Sequence, residues 1–438
     1  MKYYLAIDIG ASSGRHIIGH YENEQLILEE IYRFPNGVIN QNNHLIWDID
    51  NLFLNIKKGI KLCLEKYSQI ESLAIDTWGC DYVLMNKNQV IYPCYAYRDN
   101  RTNSIIDEVH KRISFEKLYN ISGSQFQNFN TIYQLYEDKV SGRLKKADSF
   151  LMIPEYLTYK LTGIKMKEFT NAGTTGLYDI NTLKVSQEII DKLQFPEFVK
   201  EKVYKPSTLV GDLKEDIIQE VGGNIKVKLC CSHDTASAIE CLKMDDEIYI
   251  SSGTWSLLGI KTKTPITTLK AQQANYSNEF GPNYIRFQKN IMGLWIIQNL
   301  AKELSLSFTD MVSLASSSKY NELIDVNDEC FKAPKDMKKE IISYLSNRKM
   351  ILPKNNADLI NLVYHSLAFS YQQAIEELEE ITNKKFKKIY IVGGGAKNKY
   401  LNELTKFYTQ KEVIALPIEA TSIGNLMMQM EEKNESRS

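Results

Sequence analysis

The chain has 438 residues, 53 Lys plus Arg against 54 Asp plus Glu, a formal net charge of −1 and 43% hydrophobic residues. That length allows about three domains of ordinary size or two large ones, and near-neutrality excludes the electropositive face of a nucleic-acid or anionic-membrane binder. Aromatic residues at 11% exclude disorder, and no apolar run approaches the ~18 residues of a membrane span.

Elements follow in chain order. Tyr4 to Ile9 is an apolar run, Gly10 to Gly14 a small-residue turn, and apolar character resumes from Ile17 to Tyr21. Asn23 and Glu24 turn again and Leu26 to Tyr32 follows, so the chain opens as an antiparallel meander. From Asp50, the expected N-cap, Leu52, Phe53, Ile56, Ile60, Cys63, Leu64 and Tyr67 recur at helical spacing, and Ser72 to Asp76 returns to strand. The mixture predicts an α/β layer architecture with a mixed sheet.

A similar opening recurs in mid-chain. Ser12-Ser13-Gly14 before Ile17-Ile18-Gly19 is echoed by Ser251-Ser252-Gly253 before Leu257-Leu258-Gly259, each behind an apolar strand. The echo hints at two related domains, although Ser-Ser-Gly is also a common turn. The polar stretch Lys243 to Glu247 is the natural boundary, dividing 1–243 from 244–438. Beyond it, helices are expected at Ile291–Leu304, Met337–Ser346 and Asp358–Thr382. A strand at Ile389–Val392, the triple glycine 393–395, a helix at Lys399–Tyr408, a strand at Val413–Leu416 and a closing helix from Thr421 complete the chain.

An acid at Asp8 interrupts what would be a signal-peptide core, so no export signal is expected. Seven cysteines without a C-x-x-C pair, two of them the adjacent Cys230 and Cys231, suit neither a disulfide framework nor a zinc site. A reducing cytoplasm is the expected compartment.

The glycine-rich turns define the nucleotide options. No Gly-Lys dipeptide occurs, which excludes a Walker A loop, and Asn398 stands where a dinucleotide fingerprint needs its last glycine. The hairpin turn Gly10, Ser12, Ser13, Gly14 remains as a source of consecutive N–H groups for an anion, with Arg15 adding charge. The same residues match the G-x-S-x-G nucleophile elbow, with Asp76 and His233 following in hydrolase order. An elbow needs a helix after the turn, however, and Arg15 to Tyr21 reads as strand. Three further clusters carry chemistry: Asp76 to Asp81, Tyr97 to Arg101, and Ser232-His233-Asp234-Thr235. The first two also read as solvated loops or structural ion pairs. Asp234 opens a helix after the strand Val227–Cys231, so it reads either as a cap or as an acid whose pKa the helix N-terminus keeps low; His233 also reads as a satisfied buried imidazole.

Taken together, Ala6 to Arg15, Ile75 to Gly79, Tyr97-Arg98-Asp99, Ser232 to Ala238, Ser251 to Leu257, Lys289 to Trp295 and Val392 to Gly395 resemble, in order, the FGGY carbohydrate kinases of the actin and hexokinase ATPase superfamily, and within them the members acting on L-rhamnulose. The resemblance implies an α/β fold of two ribonuclease-H-like (actin-like ATPase) domains, each a mixed sheet flanked by helices, closing on a cleft: a sugar-binding domain, 1–243, and a nucleotide-binding domain, 244–438.

It implies ATP and Mg²⁺ as well. Ala11, Ser12, Ser13, Gly14 and Arg15 would form one phosphate loop and Thr254 would lie in another, with Gln298 reaching ATP and Gly394 packing by the adenosine. Gly79, His233, Asp234, Thr235 and Asn290 would contact the sugar. Asp234 would be the general base and Asp8 would meet Mg²⁺ through water. The implied reaction is phosphorylation of L-rhamnulose at O1, as a step of L-rhamnose breakdown, with L-fuculose or L-xylulose the competing substrates. Partners are expected to be the ketose and ATP, with no nucleic acid or membrane, in a monomer or homodimer. A chaperone-like ATPase of the same superfamily is disfavoured by the Ser232 to Thr235 turn. Two departures stand out: the chain ends in the charged stretch Glu431 to Ser438 where family members continue, and Cys80 follows Gly79.

Overall fold

The computed structural model describes residues 1–242, 244, 246–332, 334–416 and 419–431. Lys243 and Asp245, within the expected boundary stretch Lys243 to Glu247, and most of the charged tail lie outside them. The chain forms two compact units: Met1–Lys243 with Thr262–Phe287 and Glu419–Ser438, and Met244–Lys261 with Gln288–Ile418. Two stretches beyond residue 244 therefore belong to the first unit.

In the first unit, β1 (Tyr4–Ile9), β2 (Ser13–Glu22) and β3 (Gln25–Pro35) form the expected meander. Helix α1 (Ile49–Lys66) follows, then β4 (Ser72–Thr77), β5 (Leu209–Asp212), β6 (Lys226–Lys228) and α2 (Asp234–Glu240). The sheet order is β5-β6-β4-β1-β2-β3, with β1 antiparallel to β2 and parallel to β4. Alternation along β1 sends Leu5, Ile7 and Ile9 into one core with Leu52, Ile56, Ile60 and Cys63 of α1. Each fully buried large aliphatic side chain there contributes about 1.5–3 kcal/mol. Asp48, not Asp50, caps α1, accepting from the Asn51 N–H at 2.9 Å. Three residues back from the first N–H it serves is the Asx-cap geometry, and Asp50 falls inside the first turn. The expected strand Val227–Cys231 is shorter, because only 226–228 find ladder partners.

The second sheet is built from β7 (Ile248–Ser252), β8 (Trp255–Thr262), β9 (Ser277–Phe280) and β10 (Ile285–Met292), followed by α3 (Trp295–Leu304), α4 (Met337–Asn347), α5 (Asn356–Thr382), β11 (Lys388–Val392), α6 (Lys399–Thr409) and β12 (Glu412–Ala415). Its order is β9-β10-β8-β7-β11-β12, with β7 antiparallel to β8 and parallel to β11. Strands β3-β2-β1-β4-β6 and β10-β8-β7-β11-β12 thus repeat one topology, which is the domain repeat that the two hairpins foretold. The tripeptides themselves are out of step. Ser12-Ser13-Gly14 runs from the turn into β2, whereas Ser251 and Ser252 end β7, so Gly10 and Gly253 are the equivalent first turn residues.

The helix expected over Ile291–Leu304 starts four residues later than expected. Ile291 and Met292 end β10, and the helix begins at Trp295, whose N–H donates to Thr254 O at 3.2 Å beside Leu294 N–H to Gly253 O at 2.9 Å. Sheet pairing outweighs the helical spacing of so short an apolar run.

The last helix, α7 (Ala420–Met430), returns to the first unit. It covers the face of β1 and β4 opposite α1, where Ala6 and Ala74 are small enough to admit it, and its own Ser422, Asn425 and Gln429 are buried. Gln429 Nε2 donates to Leu5 O at 2.9 Å and its Oε1 accepts from Ser72 Oγ at 2.7 Å. Gly424 makes this docking possible, because a Cβ there would lie 1.8 Å from Ser237 O of α2.

Candidate functional site

In the first unit the turn after β1 is closed by Gly10 N–H to Ser13 O at 2.9 Å. Asn36, which sequence reasoning missed, braces it by donating its backbone N–H to Ser12 O at 3.0 Å and its side-chain Nδ2 to Gly10 O at 2.8 Å. Ser12 is exposed, Ala11 and Ser13 are half-buried and Gly14 is buried. The strand expected after the turn is present over 13–22, so the helix that a nucleophile elbow requires does not follow it. Arg15 lies opposite Asp8 in the β1–β2 register, and its Nε and Nη2 both donate to Asp8 Oδ2, at 2.9 and 2.8 Å. Its charge is thereby compensated by a cross-strand partner.

Acids converge behind this turn. Asp8 and Asp76 are neighbours across the parallel β1–β4 register. Burial, then the charge of Asp8, pushes the Asp76 carboxyl well above the usual carboxylate range, while Asn425 donates to it at 2.6 Å and Oδ1 has no partner. Asp234 is the first residue of α2, as predicted, with Oδ1 accepting from the Thr235 N–H at 2.6 Å. Its pKa is nevertheless not low: burial first, and the charge of Asp8 second, lift it to about 7. A two-turn helix has a weak terminal field, and desolvation plus a like charge outweigh it. Nor is Asp234 the cap, a position that falls on His233.

The Ser232–Thr235 turn is anchored from two sides. Thr77 N–H donates to Ser232 O at 2.9 Å, and Thr77 and His233 form an isolated parallel bridge, which leaves Gly79 two residues beyond the strand end that meets the turn. Glu168, fully buried, accepts from Ser232 N–H at 3.1 Å and Ser232 Oγ at 2.8 Å. Around His233, Nε2 is 3.5 Å from Asp234 Oδ1 and Nδ1 is 3.2 Å from Arg286 Nη2. Glu168, Glu279 and Arg286 were missed because no local pattern connects them to the turn.

Other charged clusters are structural. Asp81 is fully buried and accepts from Trp47 Nε1 (2.6 Å), Trp78 Nε1 (2.9 Å), Gln134 Nε2 (3.0 Å) and the Tyr97 N–H (3.0 Å). Asp99 accepts from the Leu45 N–H at 2.7 Å, and Arg101 pairs with Asp138 at 3.0 Å. Cys80 adopts a left-handed φ of 71° and its N–H donates to Thr174 Oγ1 at 3.3 Å.

In the second unit, Thr254 Oγ1 donates to Gln298 Oε1 at 3.4 Å, so two residues singled out for the nucleotide meet. Half-buried Asn290 lies near the end of β10. The three glycines after β11 are not equivalent. A Cβ at Gly395 would lie 2.0 Å from Ser252 Oγ, whereas a Cβ at Gly394 would meet nothing within 4 Å, leaving its backbone open to a ligand.

Among the described residues no group of three or more His, Cys, Asp and Glu side chains is placed to hold a metal. Asp8 Oδ2 already accepts from Arg15 and, at 3.3 Å, from Ser422 Oγ. This donor set fits an ion held through water and by a ligand's own phosphates, not an all-protein cage. No helix among the described residues is long and apolar enough to cross a membrane.

Residues 3–241 match the N-terminal domain model of the FGGY family of carbohydrate kinases, and residues 248–431 match its C-terminal domain model. A rhamnulokinase of Oceanobacillus iheyensis is 43% identical over 433 residues, covering 97% of this chain and 92% of the relative. One of Halalkalibacterium halodurans is 44% identical over 436 residues, covering 98% and 93%. The fold is similar to that of the ligand-bound xylulose kinase from Lactobacillus acidophilus, with a TM-score of 0.81 at 15% identity, covering 98% of this chain and 89% of that one. It is also similar to Plasmodium falciparum glycerol kinase with ADP, with a TM-score of 0.78 at 13% identity and coverage of 98% and 89%. With both domain models matched in order, and each unit built on the same hairpin-led sheet, this chain belongs to the FGGY family of carbohydrate kinases.

Proposed function

We propose that this kinase transfers the γ-phosphoryl group of ATP to O1 of L-rhamnulose, giving L-rhamnulose 1-phosphate and ADP. The observation that carries the mechanism is the environment of Asp234. A carboxylate with a pKa of about 7 and a side chain 32% exposed is tuned for taking a hydroxyl proton at neutral pH. The ketose assignment rests on full-length relatives named rhamnulokinase at 40–44% identity.

In the proposed step Asp234 accepts the O1 proton while O1 bonds to the γ-phosphorus and the bond to the bridging oxygen breaks, releasing ADP. Phosphoryl transfer asks little covalent work of the protein, so the remaining residues position and neutralise. Ala11, Ser12, Ser13 and Gly14 offer backbone N–H groups to phosphate, with Arg15 beside them. Thr254 and Gln298 hold the nucleotide in the second unit, and the open backbone of Gly394 faces the adenosine. Gly79, His233, Thr235 and Asn290 orient the sugar. Mg²⁺, when bound with ATP, offsets phosphate charge, and Asp8 is the residue that would face it through water. The functional division proposed is a sugar-binding domain, 1–243, and a nucleotide-binding domain, 244–438. A reducing cytoplasm is the proposed setting, in keeping with seven free cysteines, four of them buried.

The test is ADP release, coupled to NADH oxidation, against L-rhamnulose, L-fuculose and L-xylulose. Release stimulated most by L-rhamnulose is expected. Preference for another ketose would change the substrate, and no stimulation by any ketose would overturn the kinase reading.

A further inference from the structure

His233 is held by groups from a distant part of the chain. Arg286, on β10 and fully buried, sets Nη2 3.2 Å from His233 Nδ1, while its Nε donates to Phe280 O at 3.3 Å and fixes the guanidinium plane. Glu279 on β9, also buried, forms an ion pair with Nη2 at 3.1 Å and offsets the arginine's charge. A guanidinium has donors only. At hydrogen-bond distance from Arg286, Nδ1 must therefore be the acceptor, and the single proton of a neutral imidazole falls on Nε2. The alternative, Nδ1–H donating to Glu279, would span 3.5 Å, beyond normal reach, and would bring two N–H groups face to face at Arg286. An imidazolium is opposed by burial first and by the same guanidinium second, which together hold the His233 pKa well below its usual value.

We infer that Arg286, backed by Glu279, is a positioning residue that locks His233 in the Nε2–H tautomer, making it a fixed hydrogen-bond donor beside Asp234 for an oxygen of a polyhydroxy ketose. The inference rests on the proposed function, in which Asp234 is the base at this site. It assigns the two neighbours opposite tasks. Asp234 takes the proton, whereas His233 only donates, so the sugar must present an acceptor oxygen to Nε2. Arg286 touches no substrate and acts through the imidazole.

The tautomer is read directly by long-range ¹H–¹⁵N correlation NMR on histidine-labelled protein at pH 7. The chain has 6 histidines, and His233→Asn identifies the signal that disappears. Wild type is expected to show a neutral His233 with Nε2 protonated. Arg286→Met/Glu279→Met removes both charges together, so no lone buried ion is left. It is expected to lose the single tautomer and to raise the ketose KM about tenfold with the ATP KM unchanged. Arg286→Lys, which keeps a donor, is expected to preserve the wild-type tautomer and so to guard against misreading a misfolded double variant. An Nδ1–H or doubly protonated His233 in wild type overturns the inference, as does an unaltered tautomer in a folded double variant. Because the tautomer is read without sugar, absence of ketose-stimulated ADP release alongside the expected NMR result would count against the kinase reading alone.

Discussion

Asn425 lies 349 positions from Asp76 along the chain, yet its Nδ2 donates to Asp76 Oδ2 at 2.6 Å inside the first unit. Together with Ser422 and Gln429 it gives α7 a buried polar stripe that reads the face of the two central strands bearing Asp8 and Asp76. The far end of the sequence is therefore part of the wall behind the proposed base.

Removing that donor leaves a buried carboxyl with neither oxygen satisfied. Asn425→Leu is expected to destabilise by about 1–3 kcal/mol in urea unfolding. Asn425→Asp is expected to cost more, because it sets a second acid against one that burial already disfavours as an anion. Equal stability of Asn425→Leu and wild type would show that the contact contributes nothing net.

Gly424→Ala places a Cβ 1.8 Å from Ser237 O, against backbone that cannot swing away. Helices α7 and α2 must separate, at an expected cost of about 1–3 kcal/mol. Since α2 begins at Asp234, kcat is expected to fall while ATP affinity, measured by calorimetry, stays within twofold.

The base must be ionised to act, and its pKa is about 7. Activity as kcat/KM is thus expected to rise with pH through about 7 and to fall tenfold per unit below about 6. Asp234→Asn is expected to reduce sugar-dependent ADP release by at least about 100-fold with ATP binding retained. Retained turnover in that variant would remove Asp234 from the role.

His16, fully buried with Nε2 3.1 Å from Ile56 O, has its pKa lowered from 6.5 to about 4 by burial. Between those values the unfolded chain binds a proton that the folded chain refuses. Stability is full above pH 6.5 and lost as pH falls toward 4, by up to about 3 kcal/mol. His16→Leu is expected to flatten that part of the pH dependence of urea unfolding.

Gly394 and Gly395 separate binding from packing. Gly394→Leu enters open space and is expected to raise the ATP KM about tenfold with stability unchanged within about 0.5 kcal/mol. Gly395→Ala, aimed at Ser252, is expected to destabilise instead.

Local pattern carried much of this molecule. The run 4–9, the small-residue turn and the stripe Leu52 to Cys63 occur as β1, hairpin and α1, because strand and helix periods are written within a few residues. The reach of that signal also explains its failures. Ile291 sits at helical spacing but pairs in β10, and Asp50 is acidic near a helix start but Asp48 has the capping geometry. Among site residues, Thr254 and Gln298 were legible as a pair only through family resemblance, and Asn36, Glu168, Glu279 and Arg286 through nothing local.

By itself the sequence determined which side chains were on hand, roughly where the main strands and helices run, and that two hairpin-led sheets would form in a chain without global charge. Only the tertiary structure decided their chemical state: Arg15 bound to Asp8, Asp234 lifted to about 7 rather than lowered, and His233 held between Arg286 and Asp234. The reason is physical. Periodicity is a property of neighbours in the chain, whereas desolvation and charge pairing depend on what folding brings near from tens or hundreds of residues away.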